Sequence, residues 1–365
     1  MLDFLRRLST PAIIALSAGL VLLGALLVTY LPQLRIIHGE VLFSDSIYAG
    51  LSLFERLQSM LYHWDAKHYL QIATEGHGAS ETLLPFFPLY AWLLGLFQFS
   101  GPALPLLGTV ISALAFAVAL YYWRRIFQTF GFEEGVLFLA FYPAVVFCYA
   151  PYPESLFIAL LGICVWNLHQ VRIAPLVVAM PLFLLSKHAA VPVGGALLLW
   201  SWFYWPRRNF WAFLAISALS LALVLAYYHL AFGDPLAWLT AQKKWGRGFA
   251  MPWVFVANLH GKGVDAVLYV LWCFVAPIYL LRKSLATSPA ERRKWTLAFV
   301  AASAILVPLW FGTSAQSIYR IPVLATPSLL VFSGLSPRAK TLWLGIFFVL
   351  LLNTTYMFVG GSHLP

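Results

Sequence analysis

Residues 103–125 read ALPLLGTVISALAFAVALYYWRR, an apolar run that ends at the arginine pair Arg124 and Arg125. A helix that crosses a membrane needs about 20 consecutive apolar residues, so this run is long enough to cross. Because Lys and Arg collect in cytoplasmic loops, the arginine pair marks the inner end of the crossing.

The same pattern recurs along the chain. Apolar segments lie at 12–31, 103–123, 134–150, 154–170, 174–186, 189–205, 210–231, 264–281, 295–311, 319–335 and 340–359. With the N-terminus placed inside, every tight basic cluster except Lys243–Lys244 falls on the cytoplasmic side. The sequence therefore predicts an all-α polytopic membrane protein with about eleven transmembrane helices. It predicts one domain, residues 1–365, with a cytoplasmic N-terminus and an external C-terminus.

The composition supports a lipid-facing protein. Of 365 residues, 62% are hydrophobic and only 10% are charged, whereas soluble domains carry about 25% charged residues. The net charge of +10 comes from short clusters between apolar runs, so it indicates topology rather than a nucleic-acid partner. The three cysteines lie inside apolar stretches and predict neither disulfides nor a zinc site.

Two long loops face the outside, at about 32–102 and about 232–263, and they hold most of the acidic residues and histidines. Within the first loop, residues 86–99 are apolar but short, and Pro85 and Pro88 interrupt them. This segment predicts an interfacial helix rather than a crossing. Because functional residues concentrate on loops held by a rigid scaffold, we expect the active site on the outer face.

The first outer loop contains Trp64-Asp65-Ala66-Lys67-His68-Tyr69. On a helix, Asp65 and His68 share one face, and a carboxylate beside an imidazole suits general-base catalysis or half of a metal site. The alternative is that Asp65 caps a short helix.

These residues resemble a known family. Trp64 to Ala73, followed by Glu75-Gly76-His77, is similar to the WDAxHFLxIAxxGY signature of the PIG-V family, the GPI mannosyltransferase 2 family. Phe86-Phe87-Pro88 stands where the family has an FFP motif. Pro153-Glu154-Ser155-Leu156-Phe157 resembles its SESLF segment. The chain departs from the pattern at His77, where Tyr is usual, and at Ser186–Ala189.

The resemblance implies a GT-C glycosyltransferase fold and an inverting transfer from a polyprenyl- or dolichyl-phosphate sugar, usually mannose. It implies that Asp65 activates the acceptor hydroxyl. We expect His68, on the same face, to orient it or to contact the phosphate. Glu154 would orient Lys67 or His68, bind the acceptor or share a divalent metal with Asp65; the alternative is a helix-start carboxylate favoured by the helix dipole. Trp64 belongs to the matched motif, and Phe86, Phe87 and Pro88 would shape the mouth of the cavity.

A lipid-phosphate leaving group is an anion and needs cations around it. The candidates are Lys67, His68, Lys187, His188, Lys243, Lys244, Arg247 and Arg320. Charges near membrane depth are costly, which favours a functional role for Lys187 and Arg320; the alternative is snorkelling to the interface. The Lys243–Arg247 cluster would grip the donor phosphate or attract lipid headgroups in general.

Two other functions stay open: a lipid or glycolipid transporter, and a non-catalytic membrane subunit of a glycosylation complex. For the enzyme, the acceptor is a glycolipid, a glycan or a protein hydroxyl, and metal dependence is undecided. Short loops favour a bacterial plasma membrane, with the active site on the periplasmic or extracellular face.

Overall fold

The computed structural model describes residues 5–6, 8–30, 64–244, 248–257, 264–311 and 320–359. In this part of the chain the α-helices are α1 (Thr10–Tyr30), α2 (Asp65–Glu75), α3 (Pro88–Gly95), α4 (Leu104–Thr129), α5 (Gly135–Ala140), α6 (Glu154–His169), α7 (Leu176–Ser186), α8 (Ala190–Tyr204), α9 (Arg207–Phe232), α10 (Ala237–Lys244), α11 (Pro252–Ala257), α12 (Val264–Ala286), α13 (Pro289–Trp310), α14 (Ile321–Leu324) and α15 (Pro337–Val359). Short 3₁₀ helices lie at His77–Ala79, Glu81–Leu83, Gln98–Ala103, Val145–Cys148 and Thr326–Gly334.

The described residues contain no β-strand, so the all-α prediction is confirmed for them. By length and composition, four of their helical stretches could cross a membrane: Gln98–Thr129, Arg207–Phe232, Tyr269–Ala286 and Pro337–Tyr356. Shorter apolar helices lie at Thr10–Leu26, Glu154–His169, Leu176–Ser186 and Ala190–Tyr204. The chain is therefore a helical membrane protein, whereas the predicted number of eleven crossings is not confirmed.

The predicted segment 134–150 is not one helix. Helix α5 ends at Ala140 and a 3₁₀ turn follows at Val145–Cys148, because Pro143 between them has no N–H to donate and disfavours a helical residue before it. Every residue from 134 to 155 is buried. Broken backbone at membrane depth is tolerated where protein encloses it, which is the environment of this segment.

The predicted segment 319–335 is broken in the same way, into α14 and the 3₁₀ helix Thr326–Gly334, with Pro327 at the start of the latter. The two broken segments meet in the core, where the rings of Phe138 and Phe332 stack with centroids 4.4 Å apart. They form the interior against which the longer helices pack.

The segment 86–99 forms the short helix α3, which begins at Pro88 and packs against α2. The Tyr90 hydroxyl donates to the carbonyl of Gly108 at 2.9 Å and lies 2.8 Å from Ser112 Oγ, which fixes α3 on α4. Beyond α3, the side chains of Leu96 and Phe99 are exposed, an apolar surface of the kind expected of an interfacial element.

The two ends of helix α6 carry different charged residues. At its C-terminal end, Arg293 Nη2 lies 3.4 Å and 3.3 Å from the carbonyls of Leu168 and His169, and Lys294 Nζ donates to the Thr129 carbonyl at 2.6 Å. These cations satisfy helix C-termini and complement their dipoles. At its N-terminal end α6 begins with Glu154, one helix length or about 24 Å away.

Candidate active site

Asp65 is the first residue of α2, and the N-cap position belongs to Trp64. Trp64 has φ 55°, a left-handed conformation that side-chain-bearing residues rarely adopt and that is enriched at functional sites. The Asp65 carboxylate does not occupy the cap position; Arg320 Nη2 lies 2.6 Å from its Oδ2.

Four charged side chains that are distant in sequence meet here. Arg320 lies between Asp65 and Glu154, with Nη1 at 3.6 Å from Glu154 Oε1, and Lys187 Nζ lies 2.7 Å from the same oxygen. They come from the start of α2, the start of α6, the α7–α8 junction and the residue before α14. We call Asp65, Glu154, Lys187 and Arg320 the charge cluster; its signs alternate along the chain of contacts.

The charge cluster is largely removed from solvent. Glu154 is fully buried, the side chains of Lys187 and Arg320 are 10% and 12% exposed, and that of Asp65 is 21% exposed. Isolated ions at this burial would cost several kcal/mol each, so each requires an opposite partner. Because Asp65 is the most exposed member, it is the carboxylate that a bound molecule reaches most directly.

Two aromatic rings also hold Arg320. Its guanidinium lies 5.6 Å from the ring centroid of Phe147 and 5.8 Å from that of Tyr152, within cation–π range. Sequence reasoning did not identify these two residues. Phe147 lies in the segment 134–150 that was interpreted as a transmembrane helix, and Tyr152 lies in the short turn that follows it; at neither place does an aromatic residue give a signal of a site.

His68 lies one helical turn from Asp65 on α2. Its ring packs on Phe86 with centroids 4.7 Å apart. Burial lowers the pKa of His68, and the neighbouring Asp65 partly offsets this by raising it. Neutral imidazole is therefore favoured, with one nitrogen able to accept a proton or hydrogen bond. Lys67, predicted to bind substrate, is exposed on α2 and does not join the charge cluster.

The FFP motif connects the outer elements. Phe86 also meets Tyr69 edge-on at 5.2 Å, and Phe87 packs on Tyr228 of α9 and Trp238 of α10 at 5.7 Å and 5.5 Å. Pro88 begins α3, where its missing N–H costs nothing. Both rings are buried, so the motif builds the wall beside the site.

Of the other residues that were predicted to bind phosphate, one lies beside the charge cluster, and the rest have no described contact with it or lie outside the described residues. His188 adjoins Lys187, and its ring lies 6.4 Å from that of Phe87, beside the site. Lys243 is exposed near the end of α10, and no described contact joins it to the charge cluster. The side chain of Lys244 and the whole of Arg247 lie outside the described residues, so their predicted roles remain predictions.

The described residues contain no group of three or more His, Cys, Asp or Glu side chains that could hold a metal ion. Asp65 and Glu154 each lie against a cation, in an arrangement that pairs carboxylates with guanidinium and ammonium groups.

Comparisons of the chain with models of known protein families, with curated proteins and with solved structures found no match. The functional interpretation therefore rests on the motifs of the sequence and on the geometry of the charge cluster.

Proposed function

We propose that this chain is an inverting membrane glycosyltransferase that moves a sugar from a polyprenyl-phosphate donor to an acceptor hydroxyl. The observation that carries the proposal is the charge cluster, in which a partly exposed carboxylate on the matched motif pairs with Arg320, and the buried Glu154 joins Arg320 to a second cation, Lys187. Mannose as the sugar follows from the motif resemblance.

Asp65 serves as the general base in this proposal. A hydroxyl is a weak nucleophile, and a carboxylate within hydrogen-bond reach accelerates its attack by taking the proton as the new bond forms. The acceptor oxygen attacks the anomeric carbon, the bond from that carbon to the phosphate oxygen breaks, and the electron pair leaves with the phosphate. One-step displacement inverts the anomeric configuration.

Lys187 and Arg320 stabilise the leaving group. The departing lipid phosphate gains negative charge, and fixed cations in a site of low dielectric stabilise that charge more than water does. His188 lies beside Lys187 and extends the positive surface, while the Lys243–Arg247 loop would attract the headgroup from the outer leaflet.

The proposed orientation places the charge cluster at the external face and the N-terminus in the cytoplasm, within a GT-C-type bundle of about eleven crossings. It is supported by the cationic caps of Arg293 and Lys294, which lie at the opposite end of α6 from Glu154, as expected of a cytoplasmic end. The donor's lipid tail then enters sideways from the outer leaflet.

A transporter or flippase is the second candidate. Transporters bind substrate near the middle of the bilayer, at discontinuous helices, and the broken segments of this chain have that character. The charge cluster, however, lies at helix ends: Glu154 begins α6 and Lys187 follows the end of α7. This position favours chemistry at the membrane surface. A non-catalytic subunit differs from the enzyme only in activity.

The deciding experiment compares two donors of the same sugar. Purified protein in detergent receives radiolabelled polyprenyl-phosphate-mannose or a nucleotide-linked mannose, with a membrane extract as acceptor pool. We expect label in a new product from the lipid donor alone. In proteoliposomes, movement of the intact lipid between leaflets without cleavage of the sugar–phosphate bond would instead establish the transporter.

A further inference from the structure

Asp65, the proposed base, is paired with Arg320 in the charge cluster. Arg320 Nη2 lies 2.6 Å from Asp65 Oδ2, and a guanidinium at this distance stabilises the charged carboxylate and weakens it as a base. For Asp65 to accept a proton readily, Arg320 has to withdraw from it.

The surroundings of Arg320 offer it a second partner. Its guanidinium also lies near the rings of Phe147 and Tyr152, in the segment that leads into α6, and near the carboxylate of Glu154, the first residue of α6. The 3.6 Å between Arg320 Nη1 and Glu154 Oε1 is an ion-pair distance but too long for a hydrogen bond. A short movement away from Asp65 would close it.

Glu154 has the capacity to receive Arg320. Its Oε2 is buried and has no hydrogen-bond partner among the described residues, and leaving such an acceptor unpaired in a protein interior is costly. Its Oε1 is shared by Lys187 at 2.7 Å. Hydrogen bonds from Arg320 would satisfy the unpaired oxygen.

Binding of a phosphate would cause Arg320 to move. The charge cluster has two carboxylates and two cations, so its formal charge is balanced. A lipid phosphate adds at least one negative charge, whether it is the sugar-linked diester or the free monoester, and this charge draws Lys187 toward the ligand and leaves Glu154 in need of a cation. The same added charge favours protonation of one carboxylate, and Asp65 is the more exposed of the two.

We propose that Glu154 is a positioning residue that takes Arg320 from Asp65 when a lipid phosphate binds, so that the base is freed only while the phosphate site is filled. This inference rests on the proposed function and deepens it, because it makes donor binding a precondition for activation of the acceptor. It assigns Glu154 a role that acts through Arg320 rather than on the reacting atoms.

The test measures the reactivity of Asp65 directly and requires no sugar transfer. Purified full-length protein is treated with a water-soluble carbodiimide and an amine tag, with and without polyprenyl phosphate, and tagging at Asp65 is quantified by mass spectrometry. Binding of radiolabelled polyprenyl phosphate is followed in parallel. In the wild type we expect tagging to rise several-fold on lipid binding, while tagging of Asp234, on the exposed turn after α9, stays constant.

We call the movement of Arg320 from Asp65 to Glu154 the switch. Two variants distinguish it from a general loosening of the protein around Asp65. Arg320→Gln should show high Asp65 tagging without lipid, because the partner is gone. Glu154→Gln should bind the lipid yet keep Asp65 protected, because a neutral amide does not attract Arg320. The Arg320→Gln result stands even if Glu154→Gln fails to fold.

The outcomes distinguish the switch from the proposed function. A rise in Asp65 tagging that depends on Glu154, together with no transfer of mannose from polyprenyl-phosphate-mannose in the two-donor experiment, would support the switch and refute the glycosyltransferase. Unchanged Asp65 tagging with polyprenyl phosphate bound would overturn the switch even if transfer occurs, and failure of polyprenyl phosphate to bind would overturn it as well.

Discussion

At the scale of single residues, the charge cluster is held together by mutual compensation of buried charges. Glu154 is fully buried and lies within ion-pair distance of both Lys187 and Arg320. Replacing a whole buried ion pair by apolar groups is often neutral, whereas removing one partner leaves an uncompensated charge. The cluster is therefore strongly coupled, and its members cannot be assessed one at a time.

This coupling predicts a non-additive mutant cycle. Glu154→Gln should lower the free energy of unfolding by about 3–5 kcal/mol, because Lys187 loses its buried partner. The double variant Glu154→Gln with Lys187→Met should cost less than the sum of the single variants. Reversible unfolding in detergent measures each value.

Glu291→Gln is the matched control for that cycle. Glu291 pairs with Lys294, as Glu154 pairs with Lys187, but the Glu291 side chain is 50% exposed. The expected loss of unfolding free energy is therefore below about 1 kcal/mol. Additive effects of Glu154→Gln and Lys187→Met would contradict the coupling.

At the scale of elements, the site depends on a close approach between α4 and the loop that leads into α6. A methyl group at Gly108 would come within 2.7 Å of Pro151 Cβ and 3.1 Å of Leu94 Cδ2. Pro151 directly precedes Tyr152, whose ring faces Arg320. The small residue lets the loop lie against α4 and so places the start of α6.

Gly108→Ala should therefore damage both stability and function. Because the backbone of α4 and the loop must separate, we expect a loss of about 1–3 kcal/mol in unfolding free energy and weaker binding of polyprenyl phosphate. Gly195→Ala on α8 is the control, since nothing lies within 4 Å of its added methyl group. Equal behaviour of the two variants would show that the close approach does not matter.

A second connection between elements involves His77. Its Nδ1 lies 2.7 Å from the Tyr227 hydroxyl of α9 and its Nε2 lies 2.8 Å from the Leu83 carbonyl. The carbonyl can only accept, so Nε2 carries a proton. Burial lowers the pKa of His77, and in the neutral ring that this favours Nδ1 accepts from the hydroxyl. The residue that departs from the family motif thus attaches the loop after α2 to α9.

Sequence reasoning was reliable for the uninterrupted apolar helices, including the largely buried α6, and failed for the two segments that proline breaks. Long apolar runs such as α4 and α9 appear close to their predicted positions, because span length follows bilayer thickness. The segments 134–150 and 319–335 are also apolar, but the first and the stretch 323–330 of the second are buried in protein, where proline-broken backbone is tolerated. Hydropathy does not distinguish these two environments.

The site could be predicted only in part, for a similar reason. Resemblance to motifs identified Asp65, His68 and Glu154, and position at the ends of apolar runs identified Lys187 and Arg320. Their meeting follows from the packing of four elements, which no local pattern encodes. The aromatic partners Phe147 and Tyr152 were missed because buried aromatic residues are common in any core.

At the scale of the whole molecule, the two ends differ in chemistry. The charge cluster and the α2–α3 loop lie at one end of α6, and the cationic caps of Arg293 and Lys294 lie at the other. If the protein crosses the membrane in the proposed orientation, the first end is external and the second cytoplasmic.

Single cysteines test this orientation. The native cysteines are buried, so background labelling should be low. In right-side-out membrane vesicles, Asp234→Cys should react with an impermeant maleimide, whereas Arg292→Cys should react only after the membrane is opened. Labelling of Arg292→Cys in intact vesicles would reverse the orientation and place the site inside.

The most direct test of the central claim is transfer of radiolabelled mannose from polyprenyl-phosphate-mannose by wild type, Asp65→Asn and Asp234→Asn. Asp234 caps the exposed turn after α9, where its Oδ1 accepts from the Leu236 N–H at 2.9 Å, and asparagine preserves that bond. We predict that Asp65→Asn folds and binds polyprenyl phosphate but loses at least about 100-fold in turnover, as expected for removal of a general base, while Asp234→Asn retains wild-type activity. Transfer by Asp65→Asn at the wild-type rate would contradict the assignment of the base and, with it, the function proposed for this site.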